Sequence, residues 1–105
     1  MKILEAARPT PIKLVDVFSA LSDPVRLKIL LCLAHHGEKS CAGFQMSHIS
    51  KSTLSHHVKI LRETGLIQLR IDGRQHFYRI CQSELDTQFP GLLASILQAE
   101  EQDLF

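Results

Sequence analysis

Asp72-Gly73 lies between two runs of alternating character, Leu66 to Ile71 and Arg74 to Ile80, and this arrangement constrains the chain more than any other. A two-residue connection of this kind closes a β-hairpin, because its backbone needs positive φ, which glycine and aspartate tolerate. Two paired strands cannot stand alone in water, so the hairpin must lean on helices. The rest of the sequence supplies them. Leu54, Val58 and Leu61 recur at i, i+4 and i+7, with Ser50 or Ser52 able to cap the start and Thr64-Gly65 to stop the end. Asp23-Pro24 opens an earlier helix, since aspartate accepts the free amides of the first turn and proline needs no donor there. That helix carries Ile29, Leu30, Leu31 and Leu33, apolar nearly all round, and Gly37 follows it, which makes it the central buried helix.

Leu14, Val15, Phe18 and Leu21 predict a first helix over Ile12 to Ser22, and Leu92, Leu93, Ile96 and Leu97 predict a last one after Pro90, ending near Gln102. Between residues 38 and 50 only Phe44, Met46 and Ile49 give a weak apolar pattern, room for a turn or two of helix. The expected fold class is mainly α, a winged helix-turn-helix with a two-stranded β-hairpin wing, formed by residues 1–105 as one domain. At 105 residues such a body buries only about 60 to 65% of the surface its unfolded chain exposes, so a homodimer is expected. No apolar run approaches the ~20 residues needed to span a bilayer, and Met1-Lys2-Ile3-Leu4-Glu5 meets an acid too early for a secretory signal. A cytoplasmic protein without membrane contact is expected. Cys32, Cys41 and Cys81, odd in number and without a C-x-x-C pair, argue against a disulfide framework or a zinc ribbon.

The formal net charge of +1 hides an uneven distribution. Residues 51–80 carry Lys51, Lys59, Arg62, Arg70, Arg74 and Arg79 against two acids, whereas residues 81–105 carry five acids and no Lys or Arg. One stretch is thus suited to a polyanion, and the acidic end must point elsewhere. On the helix that begins near Ser50, Ser52, His56, Lys59 and Glu63 fall opposite the apolar stripe, with Ser55 and Thr53 flanking them. Hydroxyls, a histidine and lysines near a helix start can reach base edges and phosphates in a major groove. Lys51, Ser52, Thr53, Ser55, His56 and Lys59 are therefore the DNA-contact candidates; the alternative is a solvated polar face. His57 falls beside the apolar stripe and reads as structural. In the hairpin, a turn at Asp72-Gly73 pairs Ile71 with Arg74, Leu69 with His76 and Ile67 with Tyr78, directing His76 and Tyr78 inward. Arg74 and Gln75 are the wing candidates for DNA, while Arg70 and Arg79 fit a cross-sheet pairing as well as a DNA contact.

Ala20-Leu21-Ser22-Asp23-Pro24-Val25-Arg26-Leu27-Lys28-Ile29-Leu30 resembles the opening signature of ArsR/SmtB-type regulators. Ser50 to Ile67 resembles their recognition helix and its exit, and the likeness runs from about Leu14 to Ile80, with Phe89-Pro90-Gly91-Leu92-Leu93 also similar to the start of their last helix. The resemblance implies a homodimeric repressor that pairs through its first and last helices, binds an inverted-repeat operator in double-stranded DNA, and releases it when an inducer binds. The sensor departs from the family. Where many members have Cys-x-Cys this chain has Lys39-Ser40-Cys41, and its last helix has no His, so no metal at the usual family sites and no cofactor is expected. A composite of Cys41 with His35, His36 or His48 is the weaker metal alternative. Cys41 beside Lys39 is a redox candidate, since a nearby cation favours the thiolate, which leaves a thiol-redox or persulfide-responsive repressor as one alternative. An unknown small-molecule inducer and a winged-helix protein-interaction module are others. An enzyme has little support, because there is no G-x-S-x-G elbow, phosphate-cradling glycine loop or dinucleotide fingerprint.

Overall fold

The computed structural model describes residues 2–4, 11–40, 44, 46 and 48–105. Along the chain it contains β1 (Lys2–Leu4), α1 (Leu14–Leu21), α2 (Pro24–His36), α3 (Lys51–Thr64), β2 (Ile67–Asp72), β3 (Gln75–Ile80), α4 (Gln82–Gln88), α5 (Leu92–Gln98) and α6 (Glu101–Leu104). The architecture is mainly α with an antiparallel hairpin, β2 and β3, following α3 directly.

The helix ends lie where local chemistry puts them. Asp23 caps α2, its Oδ1 accepting from the amides of Val25 at 2.8 Å and Arg26 at 3.3 Å. Gly37 ends that helix at φ +82, donating its N–H to the Leu33 carbonyl. Ser50 caps α3 through its Oγ, which accepts from the Thr53 amide at 3.2 Å. Gly65 closes α3 at φ +92, and the Leu66 N–H reaches back to the Leu61 carbonyl. That left-handed turn redirects the chain from helix into strand within two residues.

The core joins Ile29, Leu30 and Leu33 of α2 to Leu54, Val58 and Leu61 of α3, and continues into Leu66, Ile67, Leu69 and Tyr78 of the hairpin. Phe44 lies under the sheet, its ring centroid 6.5 Å from that of Tyr78. The hairpin register differs from the sequence expectation. Ile67 pairs with Ile80, Leu69 with Tyr78, Ile71 with His76 and Asp72 with Gln75, so the turn residues are Gly73 and Arg74. Gly73, at φ +63, takes the first central position of the turn rather than the second. Each β2 residue therefore meets a partner two places further along β3, which preserves the face of every side chain. Tyr78 is accordingly buried, but His76 is carried towards the open tip and is exposed, contrary to the inward placement expected for it.

Three features were not legible in the sequence. β1 pairs antiparallel with the outer edge of β2, and on the other edge Lys39 exchanges two backbone hydrogen bonds with Tyr78, so both sides of the hairpin are tied down. A short helix, α4, precedes Pro90. The last helix stops at Gln98, where Ala99 turns extended, and resumes only as α6. The residues just before α1 are tied to the end of α4 through Gln88, whose side chain accepts from the Ile12 N–H at 2.8 Å and donates to the Ile12 carbonyl at 2.7 Å. Helix α1 begins at Leu14 and buries Val17 and Ala20, leaving Leu14, Val15 and Phe18 at 40%, 70% and 57% exposure.

Leu61→Ala, which removes fully buried atoms from the α2–α3 contact, is expected to cost about 2 to 5 kcal/mol in denaturant unfolding. Burial pushes the Asp23 carboxyl up, but the amide bonds from Arg26 and Val25 and the charges of His57 and Arg26 outweigh it and hold the group below its ordinary value of 3.8. Stability from that carboxylate is therefore present above the unfolded value and is lost as pH falls through the lowered folded one. Asp23→Asn should keep the cap yet flatten this acid-side loss, whereas Asp23→Ala should cost about 0.5 to 2 kcal/mol at neutral pH.

Candidate nucleic-acid interface

Burial of Leu54, Val58 and Leu61 fixes the rotation of α3 about its axis. As a result Lys51, Ser52, Thr53, Ser55, His56 and Lys59 are all exposed. The helix N-terminus leads this surface, and its unpaired amides add partial positive charge there. The Ser50 hydroxyl donates to Thr53 Oγ1 at 2.9 Å and lies 3.3 Å from Ser52 Oγ, so the first-turn hydroxyls form one cluster. Lys59 Nζ stands 3.8 Å from Glu63 Oε1, both well exposed. A surface pair of this length is worth little and gives way readily to a phosphate.

His57 is half-buried, as expected of a structural residue, and its Nδ1 lies 3.2 Å from Arg26 Nη1. Arg26 also donates through Nε to the Ala20 carbonyl at 2.6 Å. Sequence reasoning missed this guanidinium. The available signal was a lone arginine inside the apolar run of α2, a placement that calls for acceptors nearby.

The hairpin cations divide into two groups. Arg70 is held by the Glu38 carboxylate through Nε and Nη2, contacts Asp72 Oδ2 at 3.4 Å, and lies 4.6 Å from the centre of the Phe77 ring. The Glu38 hydrogen bond leads in raising its pKa above the ordinary arginine value. Arg79 donates to Gln68 Oε1 from both Nε and Nη2. These two arginines are engaged within the subunit. Arg74, in the turn, has no ion pair among the described residues, and it stands exposed with Gln75 and His76 at the wing tip.

Cys41 lies outside the described residues. Cys81 is buried, and Cys32 lines an open cavity of about 430 Å³ between α2 and the α5–α6 end, together with Lys28, Leu31, Ile96 and Phe105. Among the described residues no three His, Cys, Asp or Glu side chains converge to hold a metal ion. No described helix is long and apolar enough to cross a membrane.

A capped helix with an open polar face, stopped by a left-handed glycine and followed at once by a hairpin with a cationic tip, defines a winged helix-turn-helix protein. Residues 21–70 match a family model described as a helix-turn-helix domain. The chain is 38% identical over 83 residues to the HTH-type transcriptional regulator YceK of Bacillus subtilis, covering 77% of this chain and 83% of that one. It is 35% identical over 74 residues to the arsenical resistance operon repressor of Staphylococcus xylosus, covering 70% and 71%. Among solved structures it is similar to the homodimeric winged helix-turn-helix DNA-binding domain of a Mycobacterium bovis protein, with TM-score 0.63 and 27% identity over 77% of this chain and 75% of that one. The chain belongs to the ArsR/SmtB family of winged helix-turn-helix transcriptional regulators.

Because Lys51 and His56 project into solvent and touch no part of the core, Lys51→Ala and His56→Ala are each expected to change unfolding free energy by no more than about 0.5 kcal/mol.

Proposed function

We propose that the chain is a transcriptional repressor that binds an inverted-repeat operator as a homodimer, with α3 in the major groove and the β2–β3 tip on the flanking backbone. The observation that carries this reading is the open face of α3, where Lys51, Ser52, Thr53, Ser55, His56 and Lys59 stand together, all exposed among the described residues. Arg74 and Gln75 extend the same chemistry on the wing. Lysine and arginine would neutralise phosphates and set the register, while the hydroxyls and His56 would reach base edges.

The dimer reading rests on α1. Leu14, Val15 and Phe18 form an exposed apolar face on a short helix, with α4 tied to the residues just before it through Gln88 and Ile12. Exposed apolar area of this kind marks a protein contact, and a second copy related by a two-fold axis would bury like against like. Two α3 helices would then address half-sites about 34 Å apart, one turn of duplex. The acids of residues 81–105 would lie on the dimer side, away from phosphate. The inducer is not a metal held at the usual family sites, since Lys39-Ser40-Cys41 offers one thiol and residues 81–105 contain no histidine.

Fluorescence anisotropy with duplex taken from upstream of the protein's own gene tests the reading. Affinity should fall with salt at a log-log slope of about −0.9 per neutralised phosphate. Lys51→Ala or Arg74→Ala should weaken binding to all sequences and reduce the slope by about one each, whereas His56→Ala should erode the preference for operator over unrelated duplex. Unchanged affinity in both Lys51→Ala and His56→Ala would defeat the assignment. Phe18→Glu should convert a dimer to monomer in sedimentation velocity; a dimer that survives it would exclude the α1 face.

A further inference from the structure

Arg26 stands where three helices meet. Its Nε donates to the Ala20 carbonyl, in the last turn of α1, at 2.6 Å, and its Nη1 lies 3.2 Å from Nδ1 of His57 on α3. Its own backbone amide binds the Asp23 carboxylate that caps α2. One side chain therefore links the end of α1, the start of α2 and the middle of α3. Guanidinium has donors and no acceptor, so this contact is a hydrogen bond only when Nδ1 accepts, as it does in a neutral ring that carries its proton on Nε2.

We propose that Arg26 and His57 are positioning residues for DNA binding, forming a clamp that holds α3 at its angle to α1 only while His57 is neutral, so that acidification loosens the clamp and weakens duplex binding. The inference rests on the reading of α3 as the DNA-facing helix. A protonated His57 has two donors and no acceptor, and it would set a second cation against the guanidinium at hydrogen-bond distance. Among the described residues, the charged and titratable groups facing His57 are Arg26 and Asp23 from the start of α2 and, on its own helix, His56, whose ring centroid is 6.1 Å away. Asp23 attracts both cations through space, but its hydrogen bonds run from Oδ1 to the amides of Val25 and Arg26 and not to the guanidinium. His56 works in the opposite sense, because it is exposed on the reading face and its protonation adds a cation towards phosphate. The clamp also accounts for an arginine at this place in α2: it satisfies a carbonyl at the C-terminal end of α1 that has no partner within that helix.

The test compares wild type, His57→Gln and His57→Leu as full chains on one labelled duplex at constant ionic strength, between about pH 8 and about pH 5.5, within the range where histidines change charge. Gln offers an oxygen to Arg26 at either pH. At pH 8 wild type and His57→Gln should bind with similar affinity, and at the acid end wild type should be about tenfold weaker, the scale of one lost hydrogen bond from a charged donor. The His56 contribution is common to both proteins and cancels in their ratio. His57→Leu, which has no acceptor, should be the weaker binder at both ends. A wild type to His57→Gln ratio that does not change with pH would overturn the proposal, as would a folded His57→Leu that binds as well as His57→Gln at pH 8. Should wild type bind no duplex at pH 8, the DNA reading is what fails. The clamp is then decided by thermal unfolding without DNA, where the wild-type midpoint should fall relative to His57→Gln on acidification, and parallel midpoints would refute it.

Discussion

The seam of Leu54, Val58 and Leu61 against Ile29, Leu30 and Leu33 is the contact on which the rest of the molecule depends. It is apolar, buried and continuous, and it leaves α3 a single rotational setting. Once that setting is fixed, the polar face has no choice of direction, because a helix that buries one side must show the other. The caps then define where the exposed face begins and ends. Ser50 starts α3 so that its free amides sit beside Lys51 and Ser52, and Gly65 turns the chain sharply enough for β2 to join the same core through Leu66 and Ile67. The wing is thus attached to α3 by packing as well as by sequence.

What could be read from the string was local. Asp23-Pro24, Ser50, Gly37 and Gly65 mark helix ends through hydrogen bonds spanning a few residues, so their chemistry is visible in their neighbours. The α3 face was legible for the same reason, since helical geometry alone sorts Leu54, Val58 and Leu61 from Ser52, His56 and Lys59. The hairpin register was less so. Asp-Gly can sit with glycine second or first in the turn, and only the pairing of Leu69 with Tyr78 over Phe44, a residue far away in sequence, selects between them. The strand at Lys2–Leu4 is three residues long and takes its stability from the β2 edge, and α4 reads as polar sequence with one buried residue, Leu85. Arg26 and Gln88 act across 31 and 76 residues. No window on the sequence contains both partners of such bonds.

Counting basic residues overstated what the wing offers to a polyanion. Arg70 and Arg79 carry as much formal charge as Arg74, yet Glu38, Asp72, Phe77 and Gln68 hold them along the sheet. Arg70 has its field largely cancelled by two carboxylates, whereas Arg74 at the turn keeps its own. The distinction is geometric: strand residues face cross-strand partners, while a turn residue faces solvent. Lys51 and Lys59 on α3, the latter with Glu63 beside it, and Arg74 on the wing are exposed cations at two separated places.

The apolar face of α1 connects this arrangement to assembly. Its eight residues bury only Val17 and Ala20 within the subunit, and a helix that short has little intrinsic stability. Three contacts hold it nonetheless: its own small buried stripe, the Gln88 side chain on the backbone of Ile12 just before it, and Arg26 on the carbonyl of Ala20 near its end. The first of these belongs to the core, and the second to the C-terminal elements. The third belongs to the helix that also grips α3 through His57. A partner seated on Leu14, Val15 and Phe18 would therefore press on an element whose far end shares a guanidinium with α3. Arg26 thus joins the end of α1 to α3 by two contacts through one side chain, and the α1–α2–α3 corner is where the helix with the exposed apolar face and the helix with the exposed polar face are tied together.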